Sequence, residues 1–176
     1  MDDNELFNYY WINNLLISKI QFNEERMKNI NNNKRPVVLF DTNFFLLPEQ
    51  FKIDIFEQSK ELLNTQEPIF IIFDKTINEL EKLTKTNSKH SLAAKIGMLL
   101  LKKQEKSTNN DKLIIVNTNN ETNYVDKLII YHKNYLNIEN YENFYIATQD
   151  KSLKLKLKEE NTKLIVLAQK KILKFA

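Results

Sequence analysis

The feature that most constrains the fold is a regular alternation between short apolar runs and longer segments with helical periodicity. The apolar runs cover 37–40, 69–73, 113–116, 144–147 and 164–167. Runs that are apolar throughout are typical of strands buried on both faces, and strands that alternate with helices form parallel sheets. The sequence therefore predicts an α/β fold in which helices cover both faces of a parallel sheet.

The predicted helices fall between these strands and at the start of the chain. Those after the first strand cover 48–64, 74–84, 91–106, 122–136 and 151–160. Residues 1–30 also form a predicted helix, with apolar residues on nearly every side, and an Asn-rich run at 31–33 ends it. A helix that is apolar all round is normally buried. We therefore predict an N-terminal helical arm and linker at 1–33, packed on its own domain or forming a homodimer, and a main domain at 34–176.

Three scarce residue types exclude whole classes of chemistry. The 176 residues include no cysteine, one glycine and two histidines. Disulfides, thiolate metal sites and glycine-rich phosphate loops are therefore excluded, and a histidine-ligated metal is disfavoured. The acidic start Met1-Asp2-Asp3 is unlike a secretory signal, and the apolar stretch 6–20 is too short to span a bilayer. We expect a cytoplasmic protein with no membrane partner, whose chemistry depends on carboxylates, lysines, amides and hydroxyls.

Acidic residues stand at or just beyond the carboxyl ends of four predicted strands. Asp41 and Asp150 follow the first and fourth strands directly, and Asp126 lies early in the helix after the third. In the helix after the second strand, Glu79 and Glu81 flank the apolar stripe equally, and Glu79 is favoured because it lies nearer the helix N-terminus. Ligands of such sheets bind outside the carboxyl ends of the strands, where the strand order reverses. We therefore expect the four acids to converge on one crevice.

Each of these acids also has a purely structural interpretation. Asp41 and Asp150 stand where helix N-caps are expected, Asp126 suits the helix dipole, and a glutamate on a helix edge is commonly solvated. Four converging carboxylates, however, repel one another unless protons or a cation neutralise them. Oxygen ligands without His or Cys select Mg²⁺ or Mn²⁺, and such ions activate water for attack on a phosphodiester. Taken together, the acids favour a divalent-metal site.

The segments that carry these acids resemble the PIN-domain ribonucleases. The likeness runs from about residue 36 to the end of the chain, and the order and spacing of its motifs agree with the family. Residues 41–55 and 169–171 look most like archaeal stand-alone PIN proteins, which are akin to the eukaryotic endonuclease that processes small-subunit ribosomal RNA. The matching motifs are Val37–Leu46, Thr76–Leu83, Asn123–Asp126 and Ala147–Lys154.

This resemblance implies a fold, an activity and a set of site residues. The implied fold is α/β with three layers (α/β/α) and a central, mostly parallel five-stranded sheet. The implied activity is cleavage of single-stranded RNA with one or two Mg²⁺ or Mn²⁺ ions, in the maturation of pre-rRNA or of a pre-ribosomal particle. The implied catalytic and metal-binding acids are Asp41, Glu79, Asp126 and Asp150, with Asn43 and Thr148 in support.

Lysines near the expected crevice indicate how RNA would be held. A lysine-rich helix is usually a solvated face, but one that starts at an acidic metal site would guide a phosphate backbone past carboxylates that repel it. The predicted RNA-binding residues are Lys151, Lys154, Lys156, Lys158, Lys170 and Lys171.

Two positions depart from the subgroup's pattern and leave other functions open. Lys127 follows Asp126 where paired acids are common, and Ser152 stands where a further acid often occurs. Both changes remove negative charge, so one alternative is a PIN-fold ribosome-assembly factor that binds RNA without cutting it. A toxin ribonuclease of the VapC type, with the same four acids, is another. A phosphohydrolase of the haloacid-dehalogenase kind is disfavoured because Asn43 stands where it usually needs a second Asp.

Overall fold

The structure is a computed structural model that describes residues 35–107, 112–118, 124–135 (131–135 without their side chains) and 143–176. The predicted arm and linker at 1–33, and the homodimer expected through them, lie outside these residues. The strands are β1 (Val37–Phe40), β2 (Ile69–Phe73), β3 (Leu113–Val116), β4 (Phe144–Ala147), β5 (Leu164–Ala168) and β6 (Ile172–Phe175). The helices are α1 (Leu47–Phe51), α2 (Ile55–Leu62), α3 (Asp74–Thr84), α4 (His90–Ser107), α5 (Val125–Tyr135) and α6 (Lys151–Glu159), and a 3-10 helix covers Thr42–Leu46.

The described strands form one sheet in the order β3-β2-β1-β4-β5-β6. Strands β1 to β5 pair in parallel, and β6 is antiparallel to β5. The chain leaves β1 toward β2 and β3 on one side and returns to β4 and β5 on the other, so the strand order reverses between β1 and β4. The predicted α/β fold with a mostly parallel sheet is confirmed, with six strands rather than five.

Both faces of the sheet are buried at its centre, where the strands are continuously apolar. Val38 and Phe40 point to one face of β1, Val37 and Leu39 point to the other, and all four are at most 2% exposed. The first face packs in a core with apolar residues of α1, α2 and α4. Buried leucines of α5 and α6 lie outside that core, which agrees with a helical layer on the second face. No helix within the described ranges combines the length and apolar character needed to cross a bilayer.

The predicted helix at 48–64 is wrong as a single element. After the 3-10 helix, the chain forms α1 and then turns at Lys52, whose φ of 55° is left-handed, before α2 begins. Asp54 caps α2, because its carboxylate accepts hydrogen bonds from the backbone amides of Phe56 and Glu57 at 3.0 and 3.2 Å. The turn was not predicted because it has no glycine, the residue that usually marks a left-handed position.

Close contacts hold the 3-10 helix against the sheet and against α4. The ring of Phe40 at the end of β1 lies 5.7 Å, centroid to centroid, from each of the rings of Phe44 and Phe45. On the other side, the backbone of Phe45 lies against Gly97 of α4, where a Cβ would stand 2.3 Å from the Phe45 carbonyl oxygen. The segment that directly follows the first strand is therefore fixed from two directions.

One side chain covers part of the outer edge of β6. The amide of Gln58 on α2 donates to the carbonyl oxygen of Lys171 at 2.9 Å and accepts from the backbone amide of Leu173 at 3.0 Å. In an antiparallel ladder, hydrogen-bonded pairs alternate with pairs that are not hydrogen-bonded. The amide of Ala176 donates to the carbonyl oxygen of Leu164, so the amide of Leu173, three residues earlier, points away from β5. Gln58 thus bonds to the edge of β6 as a neighbouring strand would.

Candidate active site

A cavity of about 440 Å³ lies at the carboxyl edge of the sheet. All four predicted acids line it, together with Asn43, and they come from the ends of β1 and β4 and from helices α3 and α5. The expected convergence of these acids on one crevice at the point of strand-order reversal is therefore present. The full lining is Asp41, Thr42, Asn43, Glu79, Lys82, Leu83, Tyr124, Val125, Asp126 and Asp150.

Asp41 is the most buried of the four acids, with 4% of its surface exposed. The hydroxyl of Thr148 donates to Oδ2 of Asp41 at 2.7 Å. The pKa of Asp41 is raised to about 6, mainly by burial. Hydrogen bonds from Thr148 and the Thr42 amide oppose the rise, and the charges of Glu79 and Asp150 contribute to it. The site therefore holds Asp41 in an environment that disfavours its negative charge.

Glu79 is half-buried, and a residue next to Asp41 in the chain holds it in place. The hydroxyl of Thr42 donates to Oε2 of Glu79 at 2.5 Å. Burial raises the pKa of Glu79, and the charge of Asp126 adds to this, while hydrogen bonds from Thr42 and the Val125 amide and the charge of Lys82 lower it. Thr42 thus connects the 3-10 helix after β1 to the helix after β2.

Glu79 and Glu81, which the periodicity of the helix left equivalent, differ in the structure. Glu79 lines the cavity, whereas Glu81 is exposed and is not among the residues that line it. The preference for Glu79 rested on its position nearer the N-terminus of α3, and Glu79 is the one of the two that lies at the cavity.

Asp150 combines a structural role with a place in the cavity. Its Oδ1 accepts a hydrogen bond from the backbone amide of Leu153 at 2.7 Å, which caps α6. Its own backbone amide donates to the hydroxyl oxygen of Thr148 at 3.1 Å, the same hydroxyl that donates to Asp41. Asp150 therefore caps α6 and lines the cavity at the same time, and the buried Thr148 connects Asp41 to Asp150.

Asp126 is the exposed member of the group. It lies in the first turn of α5, beside Lys127, whose ammonium stands 4.8 Å from the centre of the Tyr124 ring. Asn43 is also exposed at the rim, on the 3-10 helix. The cavity therefore has a buried side around Asp41 and an open side around Asp126.

A further acid follows β2 but belongs to a different contact. Oδ1 of Asp74 accepts hydrogen bonds from the backbone amide and the hydroxyl of Thr118 at 3.1 and 2.6 Å, and from the Lys75 amide at 2.9 Å. Asp74 is not among the residues that line the cavity. It connects the ends of β2 and β3, so an acid after a strand need not be part of the site.

Five cavity residues were not predicted as site residues: the apolar Leu83 and Val125, and also Thr42, Lys82 and Tyr124. Thr42 lies in the Asp-Thr-Asn motif, but its contact with Glu79 spans 37 positions and depends on the 3-10 helix. Lys82 could have been found, because it lies three residues after Glu79 and such residues share a helix face. Tyr124 falls inside the helix predicted at 122–136, whereas in the structure it precedes α5 and lines the cavity.

The six lysines predicted to bind RNA lie outside the cavity lining. All are exposed except Lys154, which is half-buried. An α-helix rises about 1.5 Å per residue, so Lys151 and Lys154 lie within about 6 Å of Asp150 along the axis of α6, and Lys158 lies about 12 Å away. Lys170 and Lys171 occupy the turn after β5, at the same carboxyl edge of the sheet as the acids.

The donor set of the cavity fits a hard divalent cation. A carboxylate has two oxygens with about four acceptor sites, so the hydrogen bonds to Asp41, Glu79 and Asp150 leave capacity for an ion. Within the described ranges, no three histidine, aspartate or glutamate side chains stand close enough together to hold one ion as they are placed. Carboxylates in a small cavity repel, and closer approach requires a cation or a proton between them.

Fold and cavity together define the class: an α/β protein in which carboxylates from successive strand ends meet where the strand order reverses. The chain belongs to the PIN-domain ribonucleases, because residues 38–170 match the family described as "PIN like domain". It is 35% identical over 134 residues to Ribonuclease VapC4 of Methanocaldococcus jannaschii, which covers 74% of this chain and 89% of that relative. It also resembles the solved structure of the PIN domain endonuclease Utp24, with a TM-score of 0.55 and 25% identity, over 79% of this chain and 90% of that one.

Proposed function

We propose that this protein is a divalent-metal-dependent endoribonuclease that hydrolyses phosphodiester bonds in single-stranded RNA. The observation that carries the proposal is that four carboxylates from four parts of the chain line one cavity at the switch point of the sheet. Membership of the PIN-domain ribonucleases supports the activity, and the all-oxygen donor set supports Mg²⁺ or Mn²⁺. Maturation of ribosomal RNA is the proposed task, on the strength of the motif resemblance.

The metal would be held by Asp41, Glu79, Asp126 and Asp150, as one or two ions. When bound, it would orient and activate a water molecule for attack on the phosphodiester. Thr148 acts as a positioning residue, since its hydroxyl holds the Asp41 carboxylate. The low exposure of Asp41 keeps bulk water away from one side of the site, which strengthens every charge interaction there.

RNA would be held mainly through its phosphates. Lys151 and Lys154 at the start of α6, and Lys170 and Lys171 in the turn after β5, lie on the carboxyl side of the sheet and would contact the backbone on either side of the cavity. Lys82 is the lysine that lines the cavity itself and would lie nearest the phosphate to be cleaved. Lys156 and Lys158 would extend the contact farther along the RNA.

The direct test is cleavage of unstructured RNA in the presence of Mn²⁺. We expect the wild type to cut, and Asp41→Asn to lose cleavage by at least about 100-fold while RNA binding is retained, because the lysines carry the phosphate contacts. A matched pair sharpens the test: Glu79→Gln removes a cavity carboxylate, and Glu81→Gln removes an exposed one two positions away on the same helix.

The proposal predicts that Glu79→Gln is inactive and Glu81→Gln is near wild type. Equal activity of these two variants would reject the site. If the wild type cuts none of several RNAs under any divalent metal, although it binds them, the non-cutting assembly factor becomes the better interpretation.

A toxin ribonuclease of the VapC type is the second candidate, and the 35% identity to Ribonuclease VapC4 favours it. The two tasks differ in their cellular effect. Induced expression of a toxin in a bacterial host should arrest growth, and Asp41→Asn should relieve the arrest. Expression without arrest, together with cleavage of a precursor rRNA at a discrete position, would support rRNA maturation.

A further inference from the structure

An aromatic side chain stands at the open side of the acidic cavity and has no role in the hydrolysis proposed above. Tyr124 lines the cavity, immediately before α5, and 61% of its surface is exposed. Its neighbours along the helix include Val125 and Asp126, which line the same cavity. A large exposed ring beside a charged site is a feature that metal binding and phosphate binding do not require.

The surroundings of Tyr124 are those of a nucleotide-binding surface. The ammonium of Lys127 lies 4.8 Å from the ring centre, and Lys82 and Leu83 on α3 line the cavity. An RNA strand that enters an acidic cavity meets repulsion of its phosphates, so contacts that do not depend on charge are needed at that point. Stacking of a base on an aromatic ring is such a contact, and unpaired bases of single-stranded RNA present their faces for it.

We propose that Tyr124 is a stacking platform for the base of a nucleotide adjacent to the cleaved phosphodiester, and that it sets the register of the RNA in the cavity. This inference rests on the proposed endoribonuclease function and adds a base-binding subsite to it. Lys127 contributes to the same subsite, because its ammonium stands over the Tyr124 ring and would lie within reach of the phosphate of a nucleotide stacked on that ring.

The test uses the full chain and a set of short single-stranded RNAs in which each position in turn is abasic. Tyr124→Leu keeps an apolar side chain but removes the ring, and Tyr124→Phe keeps the ring but removes the hydroxyl. At one position beside the cleaved bond, we expect an abasic residue to lower kcat/KM of the wild type and of Tyr124→Phe by about 5- to 100-fold. Tyr124→Leu should lose a similar factor on intact RNA and be insensitive to the abasic residue at that position.

A second measurement reports binding without cleavage. In EDTA, 2-aminopurine at the same position should be quenched by the wild type and by Tyr124→Phe, and not by Tyr124→Leu. The proposal is overturned if Tyr124→Leu shows the same abasic penalties as the wild type at every position, or if Tyr124→Phe behaves like Tyr124→Leu. Quenching that depends on Tyr124 in a protein that cuts no RNA would retain the subsite and reject the endoribonuclease.

Discussion

The Cα atom of Gly97 in α4 packs directly on the backbone of Phe45, so that a Cβ at position 97 would stand 2.3 Å from the Phe45 carbonyl oxygen. The obstacle is backbone, which cannot rotate aside as a flexible side chain would. Phe45 lies in the 3-10 helix that carries Thr42 and Asn43 at the cavity. The chain's one glycine therefore permits the contact that sets the distance between α4 and the segment after β1.

Replacing Gly97 by alanine should destabilise the protein. In a helix interior this change normally stabilises by about 1 kcal/mol, because alanine is the better helix former. Here the added methyl group must displace backbone, and overpacking of this kind costs about 1–3 kcal/mol, so we expect a net loss in the free energy of unfolding. Urea denaturation measures it.

Lys95→Ala, at an exposed position of the same helix, is the control and should change stability by less than about 0.5 kcal/mol. A stabilised Gly97→Ala variant would show that α4 and the 3-10 helix do not pack as described.

The hydroxyl of Thr148 should stabilise the ionised form of the Asp41 carboxylate. Thr148→Val keeps the shape of the side chain but removes the donor to Asp41 and the acceptor for the Asp150 amide. Hydrogen bonds to charged groups contribute about 1.5–3 kcal/mol, so we expect a loss of that order in the free energy of unfolding at pH 8. Chemical denaturation at pH 8 in EDTA measures it, and the affinity for Mn²⁺, measured by calorimetry, should fall as well.

Thr148→Ser restores the hydroxyl and should recover most of both losses. If the serine variant is impaired and the valine variant is not, packing of the methyl group is responsible and the hydrogen bond is not.

The metal-free protein should lose stability as the pH rises through the range in which Asp41 ionises. The pKa of Asp41 is about 6 in the folded protein, against an ordinary value of 3.8, so the folded state binds the proton more tightly than the unfolded state does. Its contribution, up to about 3 kcal/mol, is fully present below pH 3.8 and is lost as the pH rises to 6 and above. The raised pKa of Glu79 acts in the same direction.

The measurement is the difference in unfolding free energy between the wild type and Asp41→Asn, in EDTA, from pH 4 to pH 8. We expect the difference to shift in favour of the variant as the pH rises, because asparagine carries no charge to bury. A difference that is independent of pH would contradict the buried position of Asp41.

Lys127 directly follows Asp126 at the open side of the cavity, and changing it should alter metal affinity. Lys127→Asp replaces a cation beside Asp126 with a second acid, while Lys127→Gln removes the cation alone. Near a partly exposed site, each change of one unit of charge alters the free energy of cation binding by about 1 kcal/mol. We expect the affinity for Mn²⁺, measured by calorimetry, to rise in the order wild type, Lys127→Gln, Lys127→Asp. Equal affinities of the three proteins would show that Lys127 is too far from the ion to affect its binding.

The main features of the fold and the placing of the acids were predictable for a physical reason. A strand buried on both faces has to be apolar throughout, so β1, β2 and β4 stand out in the sequence, and parallel strands bring their carboxyl ends to one edge. The positions of Asp41 and Asp150 follow from that rule alone. Asp74 shows the limit of the rule, because it also follows a strand and is bound to Thr118 instead.

The features that were missed depend on contacts between distant parts of the chain. In β6 only Leu173 is buried, and Lys174 interrupts its apolar residues, so the strand lacks the continuous apolar run that marks β1, β2 and β4. The bond from Thr42 to Glu79 requires the 3-10 helix to place the hydroxyl against α3. Neither β6 nor the bond from Thr42 to Glu79 can be predicted from a short stretch of the sequence, because both depend on packing between distant parts of the chain.

The contact of Gln58 with the edge of β6 has a consequence for association between molecules. A bare sheet edge offers free amides and carbonyls that recruit strands from other chains. Here a side-chain amide takes up one acceptor and one donor of that edge, at Lys171 and Leu173, and so blocks the docking of a foreign strand at its middle. The same two bonds connect α2 to the lysine-bearing turn before β6, which is part of the surface proposed to bind RNA. Gln58 therefore disfavours edge-to-edge association of the sheet and also holds this turn in place.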